Sequence, residues 1–209
     1  MGKIETVQRT LEHLYPHAEC ELIHHSALEL LVAVMLSAQT TDAMVNRVTP
    51  NLFLKYRTPE DYVKAPLAEI EDDLKRIGLY KNKAKNLQTL MQQLLMRHDG
   101  NVPADQEALE ALAGVGRKTA NVVLSVWFHE PRFAVDTHVI RVSKRLKLAY
   151  LKDDPLQIET KLMKKFPRPA WSKLHHQFIF FGRYHCKAKA PLCDVCPLQS
   201  ECRYPHINV

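Results

Sequence analysis

The sequence predicts an all-α fold closed by a small cysteine-bound tail. Three observations carry this. Apolar residues recur three and four positions apart along most of the chain. No segment alternates apolar and polar residues as a half-buried strand would. Cysteines Cys186, Cys193, Cys196 and Cys202 crowd together near the C-terminal end.

Ile4, Val7, Leu11 and Leu14 mark a first amphipathic helix, ended by Pro16. The run ALELLVAVML, with Leu28, Leu31, Val32, Met35 and Leu36, is apolar nearly all round and predicts a buried central helix. Asp42, Val45, Val48 and Leu52 predict a third. Short helices follow Pro59 and Pro66, since proline suits a first helical turn. Ala84, Leu87, Leu90, Leu94 and Leu95 mark a long helix, stopped near Gly100 and Pro103. Helix signals resume at Asp105, break at Gly114 and Gly116, and run again from Arg117 to about His129. Asp136 opens another helix containing Val139, Ile140, Val142 and Leu146. Two more are predicted from Pro155 to Phe166 and from Ala170 to Tyr184. Past Cys186 the periodicity dissolves into Cys, Pro and basic residues, and no internal repeat is found.

A chain of 209 residues, 46% hydrophobic, can bury one sizeable core or two small ones. The net charge of +6 favours an anionic partner, nucleic acid first. The N-terminal MGKIETVQRT has no apolar stretch of the kind an export signal needs, and no run reaches the roughly 20 apolar residues of a membrane span. A cytoplasmic, nucleoid-associated protein with no membrane contact is expected. In that reducing setting, cysteines serve metals or chemistry more often than disulfides.

The segment LEALAGVGRKTANVVLSV is the most informative. A helix with Leu109 and Leu112 stops, Gly114-Val115-Gly116 turns, and a helix starts at Arg117. Glycine tolerates positive φ and close backbone approach, so a tight hairpin with Val115 turned inwards is expected. The second helix then offers unpaired N–H groups and a positive dipole end to a phosphate. An ordinary αα-corner is the alternative. A Walker A loop is excluded, because Lys118 follows Arg117 and no strand precedes the loop.

The cysteines are spaced C-x6-C-x2-C-x5-C. Four thiolates at such spacing suit tetrahedral zinc or a [4Fe–4S] cluster, and spacing alone leaves both open. Cys20 stands apart as an incidental thiol. From Lys161 to Lys189 no Asp or Glu occurs, and Lys187 and Lys189 lie between the first two cysteines. A closed loop there would aim two cations at phosphates; a solvated basic face is the alternative.

The motifs LAGVGRKTANVV, AVDTHVIRV, LSAQTTD, IGLYKNKAKN and the cysteine cluster occur together and in order. In these the chain resembles the endonuclease III family of helix-hairpin-helix DNA glycosylases and AP lyases. One departure is Ala113, where that family commonly has Pro before the first hairpin Gly. The resemblance implies two helical lobes with a DNA groove between them. One is a six-helix lobe over 21–131 containing the hairpin; the other joins 1–20 to 132–209 and holds the cluster. It implies Lys118 as a Schiff-base nucleophile and Asp136 as the catalytic carboxylate, on opposite walls of a lesion pocket.

Chemically these types suit the task. Only an amine, once deprotonated, can form an imine with deoxyribose. An ionised carboxylate can stabilise an oxocarbenium-like transition state and assist the amine. Asp136 also suits a helix N-cap, and both roles can hold together.

A base to be excised must be flipped out of the stack. The resemblance implies Gln39 and Leu79 as the residues that fill the hole, an amide for the orphaned base and an apolar wedge. Gly114, Val115, Gly116, Arg117, His138, Lys187 and Lys189 are further expected DNA contacts. Lys81, Lys83 and Lys85 are expected to meet phosphates or to solvate a helix face. Cys186, Cys193, Cys196 and Cys202 would hold a [4Fe–4S] cluster with a structural, DNA-positioning role. The expected activity is removal of oxidised pyrimidines from duplex DNA followed by cleavage 3′ to the abasic site. The partner is double-stranded DNA with damaged bases or abasic sites, met by a monomer. An adenine-mismatch glycosylase would lack the Lys and extend further past Cys202. A non-catalytic module would leave Lys118 and Asp136 together without a reason.

Overall fold

The computed structural model describes residues 2–204, all-helical with no strand among them. None of its helices is long and apolar enough to cross a membrane. The chain divides into two compact units, residues 21–129 and residues 1–20 with 130–209.

The first unit is built around α2 (Ala27–Leu36), in which every residue from Leu30 to Leu36 is buried. Ser26 caps it, its hydroxyl accepting from the Glu29 amide at 3.1 Å. Around it lie α3 (Asp42–Lys55), α4 (Pro59–Lys64), α5 (Leu67–Asp73), α6 (Tyr80–His98), α7 (Gln106–Glu110) and α8 (Arg117–Val126). Counted singly with α2 they are seven, because Pro66 divides the stretch 59–73 into two short helices. α6 carries Ala84, Leu87, Leu90, Met91 and Leu94 inward, and both α4 and α5 pack on it. α8 packs on α2 through Ala120, Val122, Val123 and Leu124. It ends at Val126, short of the expected His129, which has a left-handed φ of 56°.

The second unit joins the two ends of the chain. α1 (Lys3–Leu14) packs against α11 (Trp171–Phe180), with α9 (Thr137–Arg145) and α10 (Pro155–Lys165) beside them. Val7, Leu11, Phe133, Val139, Val142, Ile158 and Leu162 share one core with Phe166, Phe178 and Phe181. Phe178 meets the rings of Phe133 and Phe166 edge-on, at 5.7 and 6.0 Å. The last predicted helix does not run unbroken from Ala170 to Tyr184. A 3-10 turn precedes α11, and a π-helical turn over Phe181–His185 follows it.

Candidate catalytic and nucleic-acid-binding site

Ten of the expected residues lie in the unit 21–129, namely Gln39, Leu79, Lys81, Lys83, Lys85 and residues 114–118. Gly114 takes φ +75°, and a Cβ there would stand 3.1 Å from the Met35 sulfur and 3.2 Å from Asn86 Cβ. This is a position that only glycine fills without strain. Val115 is buried, as its place in the middle of the turn requires. Gly116 differs from Gly114: its φ is −103°, and the space a Cβ would occupy is open. It caps α8 without a side-chain bond, so the first-turn amides of α8 face outward from the ladder. Lys118 is the second residue of α8 and half-buried, while Arg117 is exposed, 3.7 Å from Glu110.

Ala113 has a use for the backbone N–H that a proline would lack. It donates to Gln93 Oε1 of α6 at 2.7 Å, which pins the start of the turn. The loss of proline rigidity is offset by a hydrogen bond from outside the hairpin.

Gln39 and Leu79 are both exposed, and both adopt left-handed backbone, φ 55° and 59°. Leu79 keeps 58% of its surface exposed directly before α6. The two segments touch: a Cβ on Gly78 would stand 3.2 Å from the Gln39 carbonyl oxygen. Lys83 corrects its expected role. It is only 7% exposed, and its ammonium donates to the carbonyls of Leu36 (2.8 Å) and Ala38 (2.6 Å) and to Thr40 Oγ1 (3.0 Å). Burial lowers its pKa from the ordinary lysine value. Lys81 and Lys85 are exposed.

The other expected residues lie in the second unit. Asp136 caps α9, Oδ1 accepting from the Val139 amide at 2.8 Å. His138, half-buried, has Nδ1 3.1 Å from an Arg141 Nη2 that also donates to the Gly182 carbonyl at 2.7 Å. Burial, with help from the Arg141 and Arg183 charges, lowers the His138 pKa despite Asp136, so the ring is neutral near pH 7. Gly182 must be glycine, since a Cβ would stand 2.8 Å from His138 Cβ.

Cys186 follows the π-helical turn, Cys193 opens a 3-10 turn, and Cys196 and Cys202 flank another. All are free thiols, and Cys186, Cys196 and Cys202 pack against the unit's core. Among the described residues they do not close into a compact metal-ligand group. Burial pushes the Cys186 and Cys196 thiols up, and neighbouring cysteines add to it. Donors nonetheless point at sulfur, Arg145 at Cys186 (3.4 Å) and the Tyr204 amide at Cys202 (3.3 Å). N–H and guanidinium donors aimed at sulfur suit thiolate ligands of a metal group. The donor set therefore fits a four-thiolate cofactor. Lys187 and Lys189 are exposed, while the buried Arg145 grips the Lys187 and Ala188 carbonyls at 2.8 and 3.4 Å.

Residues 32–168 match the HhH-GPD superfamily of base excision DNA repair proteins. Endonuclease III of Bacillus subtilis (strain 168) is 56% identical over 97% of this chain and 93% of its own length. The chain belongs to the endonuclease III family. A trapped endonuclease III–DNA covalent intermediate has the same fold, with TM-score 0.94 and 52% identity over 97% of both chains. A non-covalent endonuclease III–DNA complex matches with TM-score 0.93 and 52% identity, covering 97% of this chain and 96% of that one.

Within this endonuclease III family member, sequence reasoning missed Gln93, Arg141 and Arg145 and misread Lys83. For Lys83 a signal existed. It lies four residues before Leu87 and seven before Leu90, on the apolar stripe of α6, whereas Lys81 and Lys85 fall off it. Arg145 stands three residues after Val142, on the buried side of α9.

Proposed function

We propose that this endonuclease III homologue is a base-excision DNA glycosylase and AP lyase that removes oxidised pyrimidines from duplex DNA through a Lys118 Schiff base. The observation carrying this is a lysine on the first turn of α8, directly after a Gly114-Val115-Gly116 hairpin, in a chain 52% identical to a protein trapped covalently on DNA. The outward first-turn amides and the open space at Gly116 suit a phosphate.

The Lys118 Nζ lone pair attacks C1′ of the damaged nucleotide. The C1′–N bond breaks and the base leaves with its electron pair and a proton. The sugar ring opens to an imine between C1′ and Nζ. Loss of a C2′ proton makes a C2′=C3′ double bond and expels the 3′ phosphate, and water then releases Lys118. Asp136 supplies the carboxylate that stabilises positive charge at C1′ and accepts the amine's proton. His138 contacts a phosphate. Gln39 and Leu79 fill the space of the extruded base. Lys187 and Lys189 contact phosphates.

Cys186, Cys193, Cys196 and Cys202 would hold a [4Fe–4S] cluster. Bound there, it would cross-link the loop that carries Lys187 and Lys189. A cytoplasmic, nucleoid-associated monomer is the setting this reading implies.

Borohydride reduction tests it. Wild-type protein should become covalently trapped on a duplex with one oxidised pyrimidine. Lys118→Gln should lose trapping and strand cleavage yet still bind the duplex. Asp136→Asn should slow base release by at least about tenfold, a barrier change of about 1.4 kcal/mol. Trapping that persists in Lys118→Gln would assign the chemistry to another amine.

A further inference from the structure

An exposed residue outside glycine rarely holds left-handed backbone, and each instance is strained unless its surroundings enforce it. Gln39 and Leu79 both do so, on two different loops of the same unit. Lys83 joins the two loops. Its backbone amide donates to the Leu79 carbonyl at 3.1 Å. Its side chain crosses to the other loop and fills all three ammonium donors there, with Leu36 O, Ala38 O and Thr40 Oγ1. Those acceptors lie on both sides of Gln39. Gly78, beside Leu79, lets the Gln39 carbonyl approach to a distance that a Cβ would contest.

Stability alone is a poor reason for this arrangement. A buried cation offset only by neutral oxygens carries a desolvation cost, and a methionine would fill the same stem volume without it. Among the described residues no carboxylate compensates the charge. What the ammonium supplies and methionine cannot is a rigid three-point link between two strained loops.

We propose that Lys83 is a positioning residue that fixes the spacing of Gln39 and Leu79, so that amide and leucine enter the duplex as one rigid pair when a base is extruded. This rests on the reading of Gln39 and Leu79 as hole-filling residues. Lys83 itself touches no DNA.

The test separates substrates with and without an orphaned base. Base release is measured under single turnover at saturating protein. One duplex pairs an oxidised pyrimidine with adenine; a second places it opposite a tetrahydrofuran residue, which leaves no base to hold. Lys83→Met should slow release from the paired duplex about tenfold or more and from the second only about twofold. With 2-aminopurine as the opposite base, Lys83→Met should also lose much of the fluorescence change that wild-type binding produces. Lys83→Arg, which keeps donors, should recover part of both. Thr40→Val removes one acceptor at a partly exposed site and should give the same selective loss at smaller size, should Lys83→Met fail to fold.

Equal slowing on both duplexes, as a general folding defect would give, overturns the proposal, as does no slowing on either. Leu79→Ala and Gln39→Ala on the paired duplex keep the two readings apart. If neither slows release, the hole-filling assignment falls. If they slow it and neither Lys83→Met nor Thr40→Val does, the positioning role of Lys83 falls alone.

Discussion

At Gly114 the backbone runs at φ +75° with the Met35 sulfur and Asn86 close by, whereas two residues later Gly116 is extended with open space beside it. The same residue type therefore stands in two different settings, one that the fold requires and one that leaves the first turn of α8 open. Gly114→Ala must both strain the backbone and displace Met35 or Asn86. It should destabilise the protein by about 1–3 kcal/mol. Gly116→Ala meets neither obstacle and loses only the N-cap preference for glycine over alanine, so its melting temperature should fall by about 2–4 °C at most, less than that of Gly114→Ala. Its methyl group stands where a phosphate would approach the α8 amides. The dissociation constant for a duplex with an abasic-site analogue should rise about tenfold, or about 1.4 kcal/mol. Calorimetry and fluorescence anisotropy on both variants check this. Equal melting losses, or unchanged binding by Gly116→Ala, would show that the turn serves folding alone.

Among the elements, those whose contacts are local or periodic were legible in the sequence. The apolar run of α2, the Asp136 cap and the glycine break before α8 depend on residues within one turn of one another. The π-helical turn at Phe181–His185 was not, because it arises where α11 meets α9 and Gly182 lies against His138. Lys83 shares its local sequence with Lys81 and Lys85. The carbonyls that bury it come from residues some forty positions earlier, and only the apolar stripe of α6 hinted at its direction. Arg145 was missed for the same reason, its acceptors lying past Cys186.

The Cys186–Cys193 loop shows what such a hidden contact does. With its backbone gripped from below by Arg145, the loop has its lysines left to face solvent. Lys187→Ala and Lys189→Ala should each weaken binding to damaged and undamaged duplex alike. Each lost phosphate contact should flatten the slope of log K against log salt by roughly 0.9. Titrations from low to moderate salt measure it, and an unchanged slope in both variants would turn this loop away from DNA.

For the whole molecule, the last stretch of chain poses a problem of magnitude. Between Lys187 and Tyr204 Leu198 is the one fully buried apolar side chain. So little apolar burial offsets little of the conformational entropy lost in ordering the stretch. The Arg145 hydrogen bonds and its 4.1 Å contact with the Tyr204 ring help. A metal group held by the four cysteines only in the folded form would stabilise this stretch directly. The unit 21–129 has its own core around α2 and no share in the cysteine group. Protein purified without oxygen should therefore be yellow-brown and hold about four irons per chain. Iron removal by chelation, or Cys193→Ala, should open residues 187–204 to protease first while cleavage within 27–126 stays slow. Mass-spectrometric mapping of early fragments reads this directly. Stoichiometric zinc in place of iron would overturn the cluster assignment, and unchanged cleavage of the tail after metal removal would show that the protein alone orders it.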